Sequence, residues 1–218
     1  MKVYYKLLFF LAFVSISCQK ESLVVLENNQ EPSFFDDAQL VSLLKGVSAH
    51  DGSFDDIIDR SSCFSIKIPY GVVLNGESQQ INNIEDLQSI NESDEVILLF
   101  PIEISFATYQ EENISSLQEF ENVVRNCANG GLYNDRITCV DFVYPFNVGV
   151  FDPITSNFET IVFDHDKKTF QSIDSLNSLY LATIKFPIEV VNAEGQYITI
   201  ATNESLKRQI QSAISLCE

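Results

Sequence analysis

Phe64-Ser65-Ile66-Lys67-Ile68-Pro69-Tyr70-Gly71-Val72-Val73-Leu74 sets a pattern that returns at Val96–Phe106, Val140–Val150 and Ala182–Asn192. The copies align on Pro69, Pro101, Pro145 and Pro187. The residue before the proline is Ile68, Phe100, Tyr144 or Phe186, and the residue after it is Tyr70, Ile102, Phe146 or Ile188. Three before stand Ile66, Leu98, Phe142 and Ile184, and three after stand Val72, Ile104, Val148 and Val190. All of these positions are apolar, and they fall on one face of a strand of period two, with the proline on the other. Four copies in register indicate internal duplication. Proline removes a ladder donor, so each long strand is expected to be partly unpaired there. Protection of a sheet edge from aggregation is the favoured reason. An edge that accepts a partner's strand is the rival.

Each proline strand leads into a turn and a second short strand. Asn75-Gly76 is a strong hairpin signal, since both turn positions tolerate positive φ, and Asn192 to Gly195 does the same in the fourth copy. Second strands are expected near 79–82, 112–115, 158–163 and 196–201. Helices follow. Ser116 and Glu119 form a capping box before Leu117, Phe120, Val123 and Val124. Asn203 stands as N-cap before Leu206, Ile210 and Ala213. Ile84, Leu87 and Ile90 mark the first helix, and Phe170, Ile173 and Leu176 the third. The fold class is therefore α+β: four ββα repeats forming two tandem ββαββα domains, each an antiparallel sheet with helices on one face.

Cysteines group the units in pairs. Cys63 and Cys139 each lie six residues before a repeat proline, and Cys127 and Cys217 each end a helix. The symmetric solution is Cys63–Cys127 and Cys139–Cys217, one of three possible pairings. The expected domains are residues 61–128 and 139–218, joined by a linker at 129–138 that contains Asn129-Gly130-Gly131. Residues 18–60 are expected to be a tether with one short amphipathic helix, marked by Leu40, Val41, Leu43, Leu44 and Val47 and starting near Asp36 or Asp37.

At the N-terminus, Lys2 and Lys6 precede an apolar run from Leu7 to Ser17, and Ser15-Ile16-Ser17-Cys18 closes it. A run of about 11 residues is too short to span a bilayer, so residues 1–17 are read as a cleaved signal and Cys18 as a lipidation site bearing acyl chains such as palmitate. With Cys18 acylated, an odd five cysteines becomes four for pairing. Cys18-Gln19-Lys20-Glu21 resembles the start of Bacteroidota lipoproteins. Cys63 to Pro69 and Cys139 to Pro145 are similar to segments of flavobacterial lipoproteins that also repeat a proline strand, a hairpin and a short helix. The resemblance implies an outer-membrane lipoprotein of the cell envelope, with exposure at the cell surface as a further implication. It carries over no activity and no catalytic residue.

The chain has 13 basic and 31 acidic residues, a net charge of −18. Such a surface repels phosphate backbones and argues against a nucleic-acid partner. It also leaves the lipid, rather than a basic patch, to hold the membrane. His50 and His165 are the only histidines and stand far apart, which argues against a histidine-rich zinc site. No nucleophile elbow, phosphate loop or dinucleotide fingerprint is present. Asp164-His165-Asp166 reads first as a strand-to-helix turn and second as an acid/base or metal cluster. Asp51, Asp55 and Asp56 fail the calcium-loop spacing. Asp51, Asp55, Asp164 and Asp166 are thus weak metal candidates, and no cofactor is expected. The leading expectation is a non-enzymatic, outer-membrane-anchored binding module or accessory subunit of an envelope complex. A carboxylate-dependent hydrolase, with or without calcium, and a glycan-binding adhesin are the alternatives.

Overall fold

The computed structural model describes residues 31–176, 178–215 and 217. Cys18, the signal segment and the first part of the expected tether lie outside them. The described residues form one compact α+β unit. It opens with α1 (Ala38–Val47) and the single turn α2 (Asp56–Asp59). The first half continues with β1 (Phe64–Ile66), β2 (Tyr70–Leu74), β3 (Glu77–Ile81), α3 (Ile84–Gln88), β4 (Val96–Leu99), β5 (Ile102–Phe106), β6 (Glu111–Ile114) and α4 (Leu117–Ala128). The second half repeats this order with β7 (Val140–Phe142), β8 (Phe146–Asp152), β9 (Asn157–Phe163), α5 (Asp166–Ser175), β10 (Leu181–Ile184), β11 (Ile188–Asn192), β12 (Tyr197–Ile200) and α6 (Asn203–Ile214).

Each half holds two antiparallel three-stranded sheets rather than one. Their orders are β1-β5-β6 and β3-β2-β4, then β12-β11-β7 and β10-β8-β9. The proline is the reason. It has no N–H, so a ladder cannot run through it, and each expected long strand divides there. The piece before the proline is the edge of one sheet; the piece after it is the centre of the other. The two copies in a half exchange pieces: β1 pairs with β5 and β4 with β2, as β7 pairs with β11 and β10 with β8. The X-Pro bonds of the four repeat prolines, Pro69, Pro101, Pro145 and Pro187, are cis.

The repeated apolar positions turn inward as their alternation demands. Ile66, Val72, Ile104, Val148 and Val190 are fully buried. The residues directly before the prolines (Ile68, Phe100, Tyr144 and Phe186) stay half-buried at the crossings. Asn75 and Gly76 take φ of 50° and 86°, the conformation the hairpin needs. Capping differs in detail. Thr202, not Asn203, caps α6, because its hydroxyl accepts the Ser205 amide while the Ser205 hydroxyl accepts the Thr202 amide. At α4 the Ser116 hydroxyl accepts from Glu119, but the Glu119 carboxylate reaches back to the Ser115 amide.

Disulfides join Cys63 to Cys127 and Cys139 to Cys217, one in each half. Two cores lie between the sheets and helices. The tether expected over residues 18–60 is folded chain from residue 31 onward. Phe34, Leu40, Leu43, Leu44 and Val47 enter the core of the second half. Asp37 caps α1 through the Gln39 and Leu40 amides and pairs with Lys207 of α6 at 2.7 Å. The expected linker is packed as well. Ile137 donates to the Gly46 carbonyl, and Arg136 reaches the Ser62 carbonyl and Asp51. A Cβ on Gly46 would lie 2.6 Å from the Asp135 carbonyl oxygen, so only glycine permits that approach.

Candidate functional site

The repeat supplies four equivalent outer sheet faces, and one is unlike the rest. Four residues either side of the prolines, facing away from the cores, cross-strand pairs form: Ser65 with Ser105, Ile97 with Val73, Asp141 with Val191, and Thr183 with Gly149. Ile97 is 52% exposed and Asp141 is exposed, whereas Gly149 is buried beside the Phe158 ring of its own sheet. Ser65 and Ser105 are only 2% and 8% exposed. Their sheet is roofed by the segment that precedes β1.

That roof is built residue by residue. The His50 amide donates to the Ala107 carbonyl, and the Tyr109 hydroxyl donates to the Ser48 carbonyl. Gly52 lies flat on β1, where a Cβ would sit 2.5 Å from the Phe64 carbonyl oxygen. Asp51 accepts the Ser53 amide and hydroxyl and pairs with Arg136 at 2.9 Å. Asp55 accepts the Ile66 amide at 2.7 Å, so a side chain completes the open edge of β1.

Roof and face border an open groove of about 340 Å³. Its floor is Ser65 and Ser105, its walls are His50, Tyr109, Phe54 and Ile84, and its rim is Lys67 and Glu111. His50 Nε2 lies 2.7 Å from Ser65 Oγ. Burial pulls the imidazole below its usual pKa, so at neutral pH it is uncharged. Tyr109 adopts φ of 64°, the left-handed region that bulky residues avoid. Its hydroxyl bond and its ring contacts with His50 and with Phe170 of α5, at 5.5 and 5.9 Å, hold it there. Lys67 pairs with Glu103 and Glu111, each at 3.0 Å, and the bond to Lys67 holds the Glu111 carboxyl below its usual range.

The chemistry on offer is hydrogen bonding by neutral groups beside apolar walls. Among the described residues no carboxylate bonds the other ring nitrogen of His50. The amides that follow Ser65 are also engaged, Ile66 by Asp55 and Lys67 by the Glu103 carbonyl. An acyl-transfer site needs both an oriented base and free oxyanion donors.

Of the residues marked in the sequence, Asp51 and Asp55 belong to the roof as hydrogen-bond acceptors. Asp164 and Asp166 diverge. Asp164 lies on the surface between His165 at 2.6 Å and Lys168 at 3.0 Å, whereas Asp166 accepts from the Tyr144 hydroxyl. No group of three or more His, Cys, Asp or Glu among the described residues is placed to hold a metal ion. No described helix is long and apolar enough to cross a membrane, and Cys18 lies outside the described residues. The sequence reading passed over His50, Ser65, Ser105 and Tyr109. The signal was within reach: aligned on the prolines, Ser65 and Ser105 replace the Ile, Asp, Thr, Val or Gly of the other copies. No protein-family model, curated protein or solved structure matches the chain.

Proposed function

We propose that the protein is a non-enzymatic binding module, held at the outer membrane by lipid on Cys18, and that the groove beside the 48–55 roof receives part of an envelope component. The observation that carries this reading is the divergence of one outer face among four. Only that face pairs two serines, Ser65 of the first copy and Ser105 of the second, and they are buried beside a histidine and two aromatic rings. The buried Ser65 hydroxyl meets its need for a partner by bonding His50, which sets two polar side chains side by side under the roof.

The lining selects an uncharged ligand with hydroxyl or amide groups and an apolar flank. His50 is neutral, Lys67 is engaged by two carboxylates, and the field of a chain of charge −18 turns anions away. Glycan and peptide components of the envelope both offer such groups. The test is co-purification from detergent-solubilised membranes, comparing the native protein with Ser65→Leu, which fills the groove, and with Thr183→Leu, the same position of the fourth copy. The native protein and Thr183→Leu are expected to retain an envelope component that Ser65→Leu loses. A native protein that runs alone, or equal retention by all three, overturns the reading.

A further inference from the structure

The roof segment carries a second cluster, behind the groove, with more acceptors than donors. Asp55 is fully buried and Asp59 is 2% exposed. Asp55 Oδ2 takes the Ile66 amide, and Asp59 Oδ1 takes the Ser61 amide at 2.9 Å. Asp55 Oδ1, Asp56 Oδ1 and Asp59 Oδ2 are buried without a donor, as are the hydroxyls of Ser61 and Tyr70. Tyr70 comes from β2, is itself 4% exposed, and feels the charge of both Asp55 and Asp59.

Buried carboxylates without partners are too costly to stay charged. A proton or a cation must neutralise them. Placement favours the proton, since no three ligating side chains among the described residues are set to hold a metal. Arg136, the guanidinium that faces this segment, is engaged by Asp51 and the Ser62 carbonyl. A protonated carboxyl also adds a donor to those of the Ser61 and Tyr70 hydroxyls. Protein geometry couples this cluster to the groove: His50, Phe54 and Asp55 lie on one short segment, and the amide that Asp55 holds follows Ser65 directly.

We propose that residues 50–61 are a proton-controlled flap on the Ser65–Ser105 face that borders the groove, docked while Asp55 and Asp59 are uncharged and released as they ionise. The consequence for ligand access rests on the binding role given to the groove above; the flap itself does not.

Burial pushes Asp55 up to about 7, and burial with the charge of Asp55 pushes Asp59 up to about 9. Asp51 and Asp56 on the same segment oppose ionisation of the pair, and Tyr70, pushed up by burial and by the pair, stays neutral alongside it. Once the segment opens, both acids return to ordinary values near 4. Closing therefore takes up protons, and a rise in pH favours the open form.

The experiment is hydrogen exchange across residues 51–66 in the full mature chain without ligand, between pH 5 and 9, corrected for base-catalysed exchange. Between pH 7 and 9 one proton is linked, and the opening constant is expected to rise about tenfold per pH unit. Asp59→Asn is expected to abolish that slope. Between pH 5 and 7 two protons are linked, and Asp55→Asn is expected to reduce a rise of about a hundredfold per unit to about tenfold. Should either variant fail to fold, the slope of the wild-type protein and the other variant still decide. A flat wild-type profile, an unchanged slope in the variants, or protection restored at pH 9 by millimolar calcium overturns the proposal. A flat profile leaves the groove's binding role standing, and an empty groove in the co-purification leaves the slope untouched.

Discussion

Gly52 presses its backbone against Phe64 so closely that a Cβ would fall 2.5 and 2.7 Å from the carbonyl oxygen and carbon. Its own φ of −97° suits any residue, so the constraint is steric alone. Gly52→Ala is expected to cost about 1–3 kcal/mol in chemical denaturation, through displacement of the roof from β1. Asp59 has a stability signature of its own. Its folded pKa lies above its unfolded one, so ionisation weakens the fold as pH rises from about 4 towards about 9. Urea titrations are expected to find Asp59→Asn gaining on the wild type by about 1.4 kcal/mol per pH unit between pH 5 and 9, with the gap closing towards pH 4. The acids were visible in the sequence, and their burial was not. An aspartate-rich loop reads as solvated surface until something shows that it closes a sheet edge. His50 and Ser65 were hidden in the same way. Fifteen residues apart, they become a pair only because the chain folds back over its own strand.

The proline strands show which information alternation carries and which it lacks. Ile66, Val72 and Ile104 point inward whether a strand stays in one sheet or changes sheets, so their burial was legible from period two alone. The exchange of pieces between copies was not legible. It depends on what the proline's missing donor does to the ladder, and apolar spacing is silent on that. Faces can be tested with one residue type. Ile104→Ala, at a fully buried position, is expected to cost about 2–5 kcal/mol by denaturation, and Ile97→Ala on the exposed face to stay within about 0.5 kcal/mol. The starts of α1, α4 and α6 were legible to within a residue, whereas α5, marked from Phe170, begins at Asp166. The Thr202 cap displaced Asn203 because Thr202 with Ser205 satisfies both end amides, while the Asn203 side chain donates to the Pro32 carbonyl.

Across the whole molecule, symmetry was the best guide. The disulfides follow the repeat, each closing a loop of 64 or 78 residues. On the chain-entropy model each contributes about 4 kcal/mol, so reduction is expected to lower the melting temperature sharply. The N-terminal segment departs from the symmetry, with α1 completing the second core although it precedes the first. Leu40→Ala, at a position 1% exposed, is expected to lose about 2–5 kcal/mol, with exchange protection falling in β11 and α6 before β2 and β5. The function proposed rests on the roofed face. It is tested most directly with a photo-crosslinking residue placed at Phe54, in the groove wall, or at Tyr197, 69% exposed on the second half, each in the native envelope. An adduct with an envelope component at position 54 that Ser65→Leu abolishes is the predicted result. No adduct at 54, or adducts at 197 alone, would contradict it.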